Sequence, residues 1–150
     1  DRIENQYLNR STPTATARLI ETFFENRLFA SKYKKFLIRI MTETSTGQDK
    51  LKGLLPPDCT VGHKTGSSDR TSTGVKIADN DAGFVLTPDG KRYFLAVFVS
   101  DSQEDDPTNA SIIARISAII YDFMTRPTDP NRPTLCRPES VSADDAAGSP

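Results

Sequence analysis

The spacing of apolar residues predicts two helices at the start of the chain. Apolar side chains recur at helical intervals between residues 13 and 28. Ser11-Thr-Pro13 precedes them with a capping hydroxyl and a proline suited to the first helical position. A second helix is predicted to begin at Ser31, as its cap, and to end before Gly47. Its apolar face consists of Tyr33, Phe36, Leu37, Ile40 and Met41.

Three runs of β-forming residues follow a proline-stopped connector at residues 48–58. The first strand is predicted at 59–65, and the second ends at Thr87. Pro88-Asp-Gly90 is a strong hairpin turn, and it leads into Tyr93–Val99. Because this last run is continuously apolar, it predicts a central strand that is covered on both faces.

A long helix at residues 109–126 follows an acidic loop. Its apolar stripe, expected to pack across the sheet, is Ile112, Ile113, Ile116, Ile119, Ile120 and Phe123. The tail at 127–150 is rich in proline and poor in aliphatic residues, which predicts disorder. The fold class is therefore α/β of the α+β sandwich type, with an antiparallel sheet of at least three strands and flanking helices.

Composition narrows the function classes. Hydrophobic residues make up 36% of the chain and charged residues 26%, as in a globular protein on the polar side. The net charge of -1 gives no reason to expect binding to nucleic acid or to an anionic membrane. Cys59 and Cys136 lack metal-ligand spacing, and a disulfide between them stays open. No metal or cofactor is predicted.

The end of the first predicted strand concentrates the candidate chemistry. Lys64 offers a positive charge, and Thr65, Ser67 and Ser68 offer hydroxyls. Gly66 lets a ligand approach the backbone closely. The expected ligand is an anion, above all a carboxylate, and a surface turn is the alternative for Lys-Thr-Gly taken by itself.

Three other features have a structural explanation beside a catalytic one. His63, the single histidine, is expected to pack or hydrogen-bond rather than to act as a base. Ser31 and Lys34 match the Ser-x-x-Lys pattern of an activated serine, but a helix cap on an exposed basic face is favoured. The carboxylates between Asp101 and Asp106 are typical of a solvated loop that complements a helix N-terminus.

The order of these motifs resembles class A serine β-lactamases. Lys64-Thr-Gly66 on a strand, followed by the hairpin through Pro88-Asp-Gly90, is similar to the C-terminal half of that family. Tyr7–Pro13 resembles the exit from the family's Ω-loop, and Thr44–Pro56 resembles the connector before the Lys-Thr-Gly strand. His63 indicates the subfamily that carries His-Lys-Thr-Gly.

The resemblance implies a β-lactamase/transpeptidase-like catalytic domain of which residues 1–126 are the C-terminal part. It assigns 1–12 to the end of the Ω-loop region, 13–47 to helices, 59–102 to strands and 109–126 to the last helix. The family's Ser-x-x-Lys and Ser-Asp-Asn lie far upstream of Lys-Thr-Gly, and neither is present there. We therefore expect a partial domain that lacks the nucleophile, with a tail at 127–150 that has no counterpart.

The resemblance also implies roles for the strand residues. Lys64 would provide the electrostatic field at the substrate carboxylate and assist proton movement, and the hydroxyls of Thr65 and Ser67 would bind that carboxylate. The Ser67 N–H would be one of two oxyanion donors. Gly66 would keep the strand edge open, and Ser68 completes the substrate-binding set. The substrate would be a small-molecule β-lactam.

A further basic residue is expected near the substrate carboxylate. Many class A enzymes place an arginine on the next strand, where this chain carries Thr73. In relatives without that arginine, a basic residue of the connector reaches the same spot, so Lys50 is the candidate. A solvated lysine is the alternative for Lys50, and Arg70 is a second candidate.

Two other functions stay open: a penicillin-binding D,D-peptidase, and a non-catalytic binding module of the same fold. An upstream Ser-x-x-Lys, Ser-Asp-Asn and Ω-loop glutamate together would indicate a β-lactamase. The resemblance implies a periplasmic or secreted protein, monomeric at full length. We expect these 150 residues alone to be inactive, with Phe94 and Val97 exposed because part of the domain is missing.

Overall fold

Three helices and three strands make up the computed structural model, which describes residues 10–25 and 30–127. In chain order they are α1 (Pro13–Glu25), α2 (Ser31–Thr42), β1 (Thr60–Ser67), β2 (Lys76–Leu86), β3 (Arg92–Ser102) and α3 (Asp106–Thr125). The predicted α+β class and antiparallel sheet are confirmed. The predictions for residues 1–9, for the end of the first helix at 26–28, for Cys136 and for the tail from 128 lie outside the described residues.

The sheet has the order β1-β2-β3, and both pairs are antiparallel. The hairpin turn forms as predicted, with the Thr87 N–H donating to the Lys91 carbonyl at 2.9 Å. In the described part of the chain, β2 is the middle strand and β3 lies at an end; because this is a partial domain, the central place of Tyr93–Val99 in the whole sheet stays a prediction. The predicted cover on both faces is confirmed, since α1 and α3 both contact β3.

The helix α3 covers one face of the sheet as predicted, but only part of the predicted stripe, Ile113 and Ile120, packs against the core. Its buried side chains are Asn109, Ala110, Ile113, Ala114 and Ser117. Ile113 packs with Leu51 and Val97, whereas Ile119 of the predicted stripe is 66% exposed. Small residues let the helix approach the sheet closely, and the exposed isoleucines, Ile112, Ile116 and Ile119, lie beside the contact. Val97 is therefore 6% exposed, and the prediction that it would be exposed is wrong.

The helix α1 covers the other face. The Phe24 ring lies 4.9 Å from the Phe84 ring and 5.6 Å from the Phe94 ring, measured between centroids. Phe94 is half-buried as a result, which corrects its predicted exposure. The start of α1 is as predicted, since the Thr12 hydroxyl accepts a hydrogen bond from the Ala15 N–H at 3.1 Å.

The helix α2 begins differently from the prediction. Ala30 is its N-cap, and no side chain of the described residues caps the helix. Ser31 is the first helical residue, so its predicted capping role is wrong. The predicted apolar face leaves Tyr33, Phe36 and Ile40 exposed. None of the helices in residues 10–25 and 30–127 has the length and apolar character that a membrane span requires.

Close contact between strands and helices depends on Gly62. A Cβ at this position would lie 2.2 Å from an atom of the Phe84 ring. Phe84 is fully buried and contacts Phe24 on the face that α1 covers. The glycine therefore allows Phe84, the largest fully buried side chain of the described residues, to lie directly against β1, the strand that carries the candidate site.

Candidate active site

The candidate residues share one strand at an edge of the sheet. Lys64, Thr65, Gly66 and Ser67 lie on β1, which within the described residues pairs with β2 alone. Ser68 follows at once. The structure therefore places the sequence-predicted substrate-binding strand along an accessible sheet edge, where backbone groups on the outer side can meet a ligand.

The pairing of Ser68 fixes the direction of the Ser67 N–H. The Ser68 N–H donates to the Ala78 carbonyl at 2.9 Å, toward β2. Hydrogen-bonded and non-hydrogen-bonded residue pairs alternate along an antiparallel ladder. Ser67, opposite Asp79, therefore belongs to a non-hydrogen-bonded pair, and its N–H points away from β2 to the free edge. An oxyanion donor needs this orientation.

Lys64 and Gly66 lie on the same face of β1, since side chains alternate along a strand. Lys64 is exposed, and its ammonium donates to the Thr65 carbonyl. The space around Gly66 is open: among the described residues, a Cβ at this position would have one neighbour within 4.0 Å, the Cβ of Asn80. A cation next to an open stretch of backbone can receive a carboxylate.

The loop before the connector lies against Thr65. The hydroxyls of Thr46 and Thr65 are 3.2 Å apart. Gly47 has a φ of 64°, and a Cβ there would come within 2.3 Å of Thr65 Cγ2. The Thr65 hydroxyl thus has one hydrogen-bond partner among the described residues, and a hydroxyl that donates to one group can still accept from another.

The hydroxyl of Ser68 has two partners within the chain. It donates to the Asp69 carbonyl at 2.9 Å and accepts from the Ala78 N–H at 3.0 Å. These contacts give Ser68 a role in shaping the end of β1. Its predicted substrate contact has to compete with both of them.

Two buried carboxylates lie on β2 across from the site residues. Asp81 is opposite Thr65 and Asp79 is opposite Ser67. Asp81 accepts from His63 Nδ1 at 2.8 Å and from the Leu51 N–H at 3.1 Å. His63 is 1% exposed, which confirms that it packs and hydrogen-bonds. The sequence analysis missed both aspartates, although charged residues two apart inside a strand were a visible signal.

The structure gives Lys50 a partner within the protein. Lys50 is 9% exposed, and its ammonium forms an ion pair with Asp79, which is 2% exposed. The alternative of a solvated lysine is therefore wrong. The same geometry favours a structural role for Lys50 over the substrate contact expected from the sequence.

The remaining basic candidate, Arg70, lies at the turn before β2. Arg70 is exposed, and it donates to Asp106 Oδ1 at 2.6 Å. Lys76 lies 2.9 Å from the same oxygen, and hydrogen bonds from Lys76 and Arg70 hold the pKa of Asp106 below its usual value. Thr73 precedes β2, so its assignment to that strand is wrong; the β2 residue opposite Gly66 is Asn80.

The Ser-x-x-Lys sequence on α2 shows no sign of an activated serine. Ser31 is exposed at the first position of the helix. The Lys34 ammonium lies 5.4 Å from the centroid of the Phe24 ring, on α1. This arrangement agrees with the surface role that the sequence favoured.

Comparisons with known proteins agree with this fold. Residues 1–124 match the model of the Beta-lactamase enzyme family. A β-lactamase of Bacteroides uniformis is 56% identical over 122 residues, which are 81% of this chain and 41% of that protein. The β-lactamase VEB-1 of Pseudomonas aeruginosa is 41% identical over 120 residues, 79% of this chain and 40% of that protein.

Solved structures give the same result. A class A β-lactamase from Bacteroides cellulosilyticus superposes with a TM-score of 0.77 at 60% identity, over 79% of this chain and 43% of that one. The extended-spectrum β-lactamase TLA-1 superposes with a TM-score of 0.82 at 40% identity, over 84% of this chain and 46% of that one. The chain spans less than half the length of these relatives. Because the family match runs from the first residue to the last turn of α3, the chain belongs to the β-lactamase enzyme family.

Proposed function

We propose that this chain provides the substrate-binding strand of a serine β-lactamase, with residues 1–126 as the C-terminal part of its catalytic domain. The reaction is hydrolysis of the β-lactam ring of penicillins and cephalosporins through an acyl-serine intermediate, and it confers antibiotic resistance. The observation that carries the proposal is the free edge of β1, where the Lys64 cation adjoins the outward-facing Ser67 N–H. We place the enzyme in the periplasm or outside the cell, as a monomer, in keeping with the family resemblance.

The cation is proposed to bind the substrate carboxylate. Lys64 is exposed and lies on the open face beside Gly66. A hydrogen bond to a charged group contributes about 1.5–3 kcal/mol, so the ammonium would exchange its contact with the Thr65 carbonyl for the stronger contact with a carboxylate. The hydroxyls of Thr65 and Ser67 would add neutral hydrogen bonds to the same anion.

The backbone of β1 is proposed to stabilise the transition state. Attack on the β-lactam carbonyl places a negative charge on its oxygen, and the Ser67 N–H at the strand edge would donate to it. Loss of one such donor typically costs about 3 kcal/mol. The second donor and the nucleophilic serine would come from the part of the enzyme that corresponds to the unmatched length of its relatives.

Two proteins, assayed with a chromogenic cephalosporin, test this proposal. The first is the 150-residue chain, which is expected to show no turnover, because Ser31 is its single Ser-x-x-Lys serine and faces solvent. Turnover that is abolished in Ser31→Ala would contradict this assignment.

The second protein is a chimera. In it, the matching 122 residues of the Bacteroides uniformis relative are replaced by those of this chain. We expect hydrolysis, with the unaltered relative as the positive control and thermal unfolding as the check on folding. A chimera that unfolds cooperatively but does not hydrolyse the substrate would refute the proposal.

A further inference from the structure

A buried polar chain connects β1 to α3 beneath the candidate site. His63 Nδ1 donates to Asp81 Oδ2 at 2.8 Å, and the Leu51 N–H donates to the same oxygen at 3.1 Å. The Leu51 carbonyl in turn accepts from the Ser117 hydroxyl, on α3, at 2.7 Å. The strand, the connector and the helix are thus joined through one carboxylate and one backbone unit.

This chain of contacts is buried along its whole length. Asp81 and Ser117 are both fully buried, and His63 is nearly so. A buried carboxylate must have hydrogen-bond donors to offset its lost hydration. Here the donors are the Nδ1–H and the Leu51 N–H, which requires the imidazole tautomer that carries its proton on Nδ1. His63 Nε2 is buried without a partner among the described residues, an arrangement that a strong contact on the other nitrogen can sustain.

The contact between His63 and Asp81 lies directly beside the residues of the candidate site. His63 precedes Lys64 directly, and Asp81 lies opposite Thr65. Side chains alternate along a strand, so the hydrogen bond between His63 and Asp81 holds β1 from the face opposite to the Lys64 side chain. An edge strand has ladder hydrogen bonds on one side only. The hydrogen bond between the side chains of His63 and Asp81 adds a restraint that a second neighbouring strand would otherwise supply.

The nearby charges form a separate group. Asp79 pairs with Lys50 and lies 3.7 Å from Lys76 Nζ. No ion pair in the described part of the chain joins these residues to Asp81 or His63. The imidazole therefore supplies the donor to Asp81 that no lysine supplies.

We propose that His63 and Asp81 are positioning residues, which hold β1 so that Lys64 and the Ser67 N–H meet the substrate. The kinetic part of this proposal rests on the proposed function; the structural part does not. Asparagine places a side-chain N–H close to the position of Nδ1, whereas leucine has a similar size and no donor. His63→Asn and His63→Leu are therefore the matched pair of variants.

Hydrogen exchange on the 150-residue chain tests the structural part. The amides of Lys64 and Gly66 should be protected, because alternation from Ser68 directs them toward β2. We expect their exchange to accelerate roughly 10-fold or more in His63→Leu and to stay within about 3-fold in His63→Asn, with α1 amides unchanged in both. Equal protection in both variants, equal loss in both, or no protection in the parent chain would overturn the proposal.

Nitrogen NMR provides a second readout on the parent chain. Its single histidine makes the imidazole resonances unambiguous. We expect Nδ1 to carry the proton, and an Nδ1 without a proton would overturn the proposal.

Kinetics of the chimera test the positioning role itself. We expect kcat per active site, counted by burst titration, to fall about 10- to 100-fold in His63→Leu and to recover in His63→Asn, with KM little changed. A residue that matters only for stability would lower the number of active sites and leave kcat per site unchanged, which would overturn the kinetic part. If the folded parent chimera is inactive, the proposed function fails, and hydrogen exchange still decides the positioning proposal.

Discussion

Removal of the Lys50 ammonium should destabilise the protein far more than loss of an ordinary surface lysine. Lys50→Met keeps the length of the side chain and leaves the buried Asp79 carboxylate without its nearest cation. Breaking a buried ion pair from one side costs about 3–5 kcal/mol. Lys76 stays 3.7 Å from the other oxygen of Asp79, so we expect the lower end, about 3 kcal/mol. In the chimera, which has the length of the Bacteroides uniformis relative, this corresponds to a fall of roughly 5 °C in Tm.

Thermal and urea unfolding of the chimera, followed by circular dichroism, measure this effect. Lys52→Met is the matched control, because Lys52 lies two residues away and is exposed; its change should stay within about 0.5 kcal/mol. The double variant Lys50→Met/Asp79→Asn should recover part of the loss, since no unpaired buried charge remains. If Lys50→Met is as mild as Lys52→Met and instead raises KM for the substrate, the structural assignment is wrong. The role predicted from the sequence would then be restored.

Three further outcomes follow from the same structure. Gly62→Ala should cost at least about 2 kcal/mol in urea unfolding, because its Cβ would meet the Phe84 ring, while Gly66→Ala should cost under about 1 kcal/mol; equal costs would contradict this packing. The hydrogen bond from Lys76 is the largest cause of the lowered pKa of Asp106. The ionised carboxylate therefore stabilises the folded protein at pH values above the unfolded pKa, and this stabilisation is lost as the pH falls through the folded pKa. The stability difference between the parent and Asp106→Asn should therefore begin to shrink below about pH 4 and reach its minimum once the pH lies below the folded pKa, and a constant difference across the pH range would refute the linkage. Burial raises the pKa of the Cys59 thiol, so alkylation mapped by mass spectrometry should be slow at Cys59 in the native protein and fast in urea; rapid native labelling would contradict its burial.

Local signals in the sequence predicted the elements well. The Thr12 hydroxyl and Pro13 define the start of α1, and the turn at Pro88-Asp-Gly90 defines the hairpin, because each acts through neighbouring residues. The strand predicted at 59–65 is β1, which runs from Thr60 to Ser67, so Lys64 and Thr65 lie on it as predicted and Gly66 and Ser67 extend it beyond the predicted end. These predictions needed no knowledge of distant contacts.

Predictions that depended on long-range packing were less successful. The isoleucine stripe of α3 matched helical periodicity, yet Asn109 and Ser117 are buried and Ile119 is exposed. Ser117 is buried because its hydroxyl donates to the Leu51 carbonyl, a partner that periodicity cannot reveal. Periodicity identifies a helix and its apolar content, but the face that packs depends on the shape of the opposing surface.

The same limit applied to the charged residues around the site. Lys50 looked like a ligand-binding or solvated lysine until β2 placed Asp79 against it. Asp79 and Asp81 lie 29 and 30 residues along the chain from the connector groups that they bind, and only the fold brings these groups together. The sequence therefore identified the residues that face the ligand, and the structure identified the residues that hold them in place.

The central claim is that Lys64 on the edge strand binds the substrate carboxylate. The most direct test compares kcat/KM of Lys64→Ala with that of Lys52→Ala in the chimera, for a cephalosporin that carries the carboxylate. Loss of a charge-assisted hydrogen bond predicts a fall of roughly 10- to 100-fold for Lys64→Ala, with Lys52→Ala within about twofold of the parent. Equal activity of the two variants, both with an unchanged Tm, would contradict the claim.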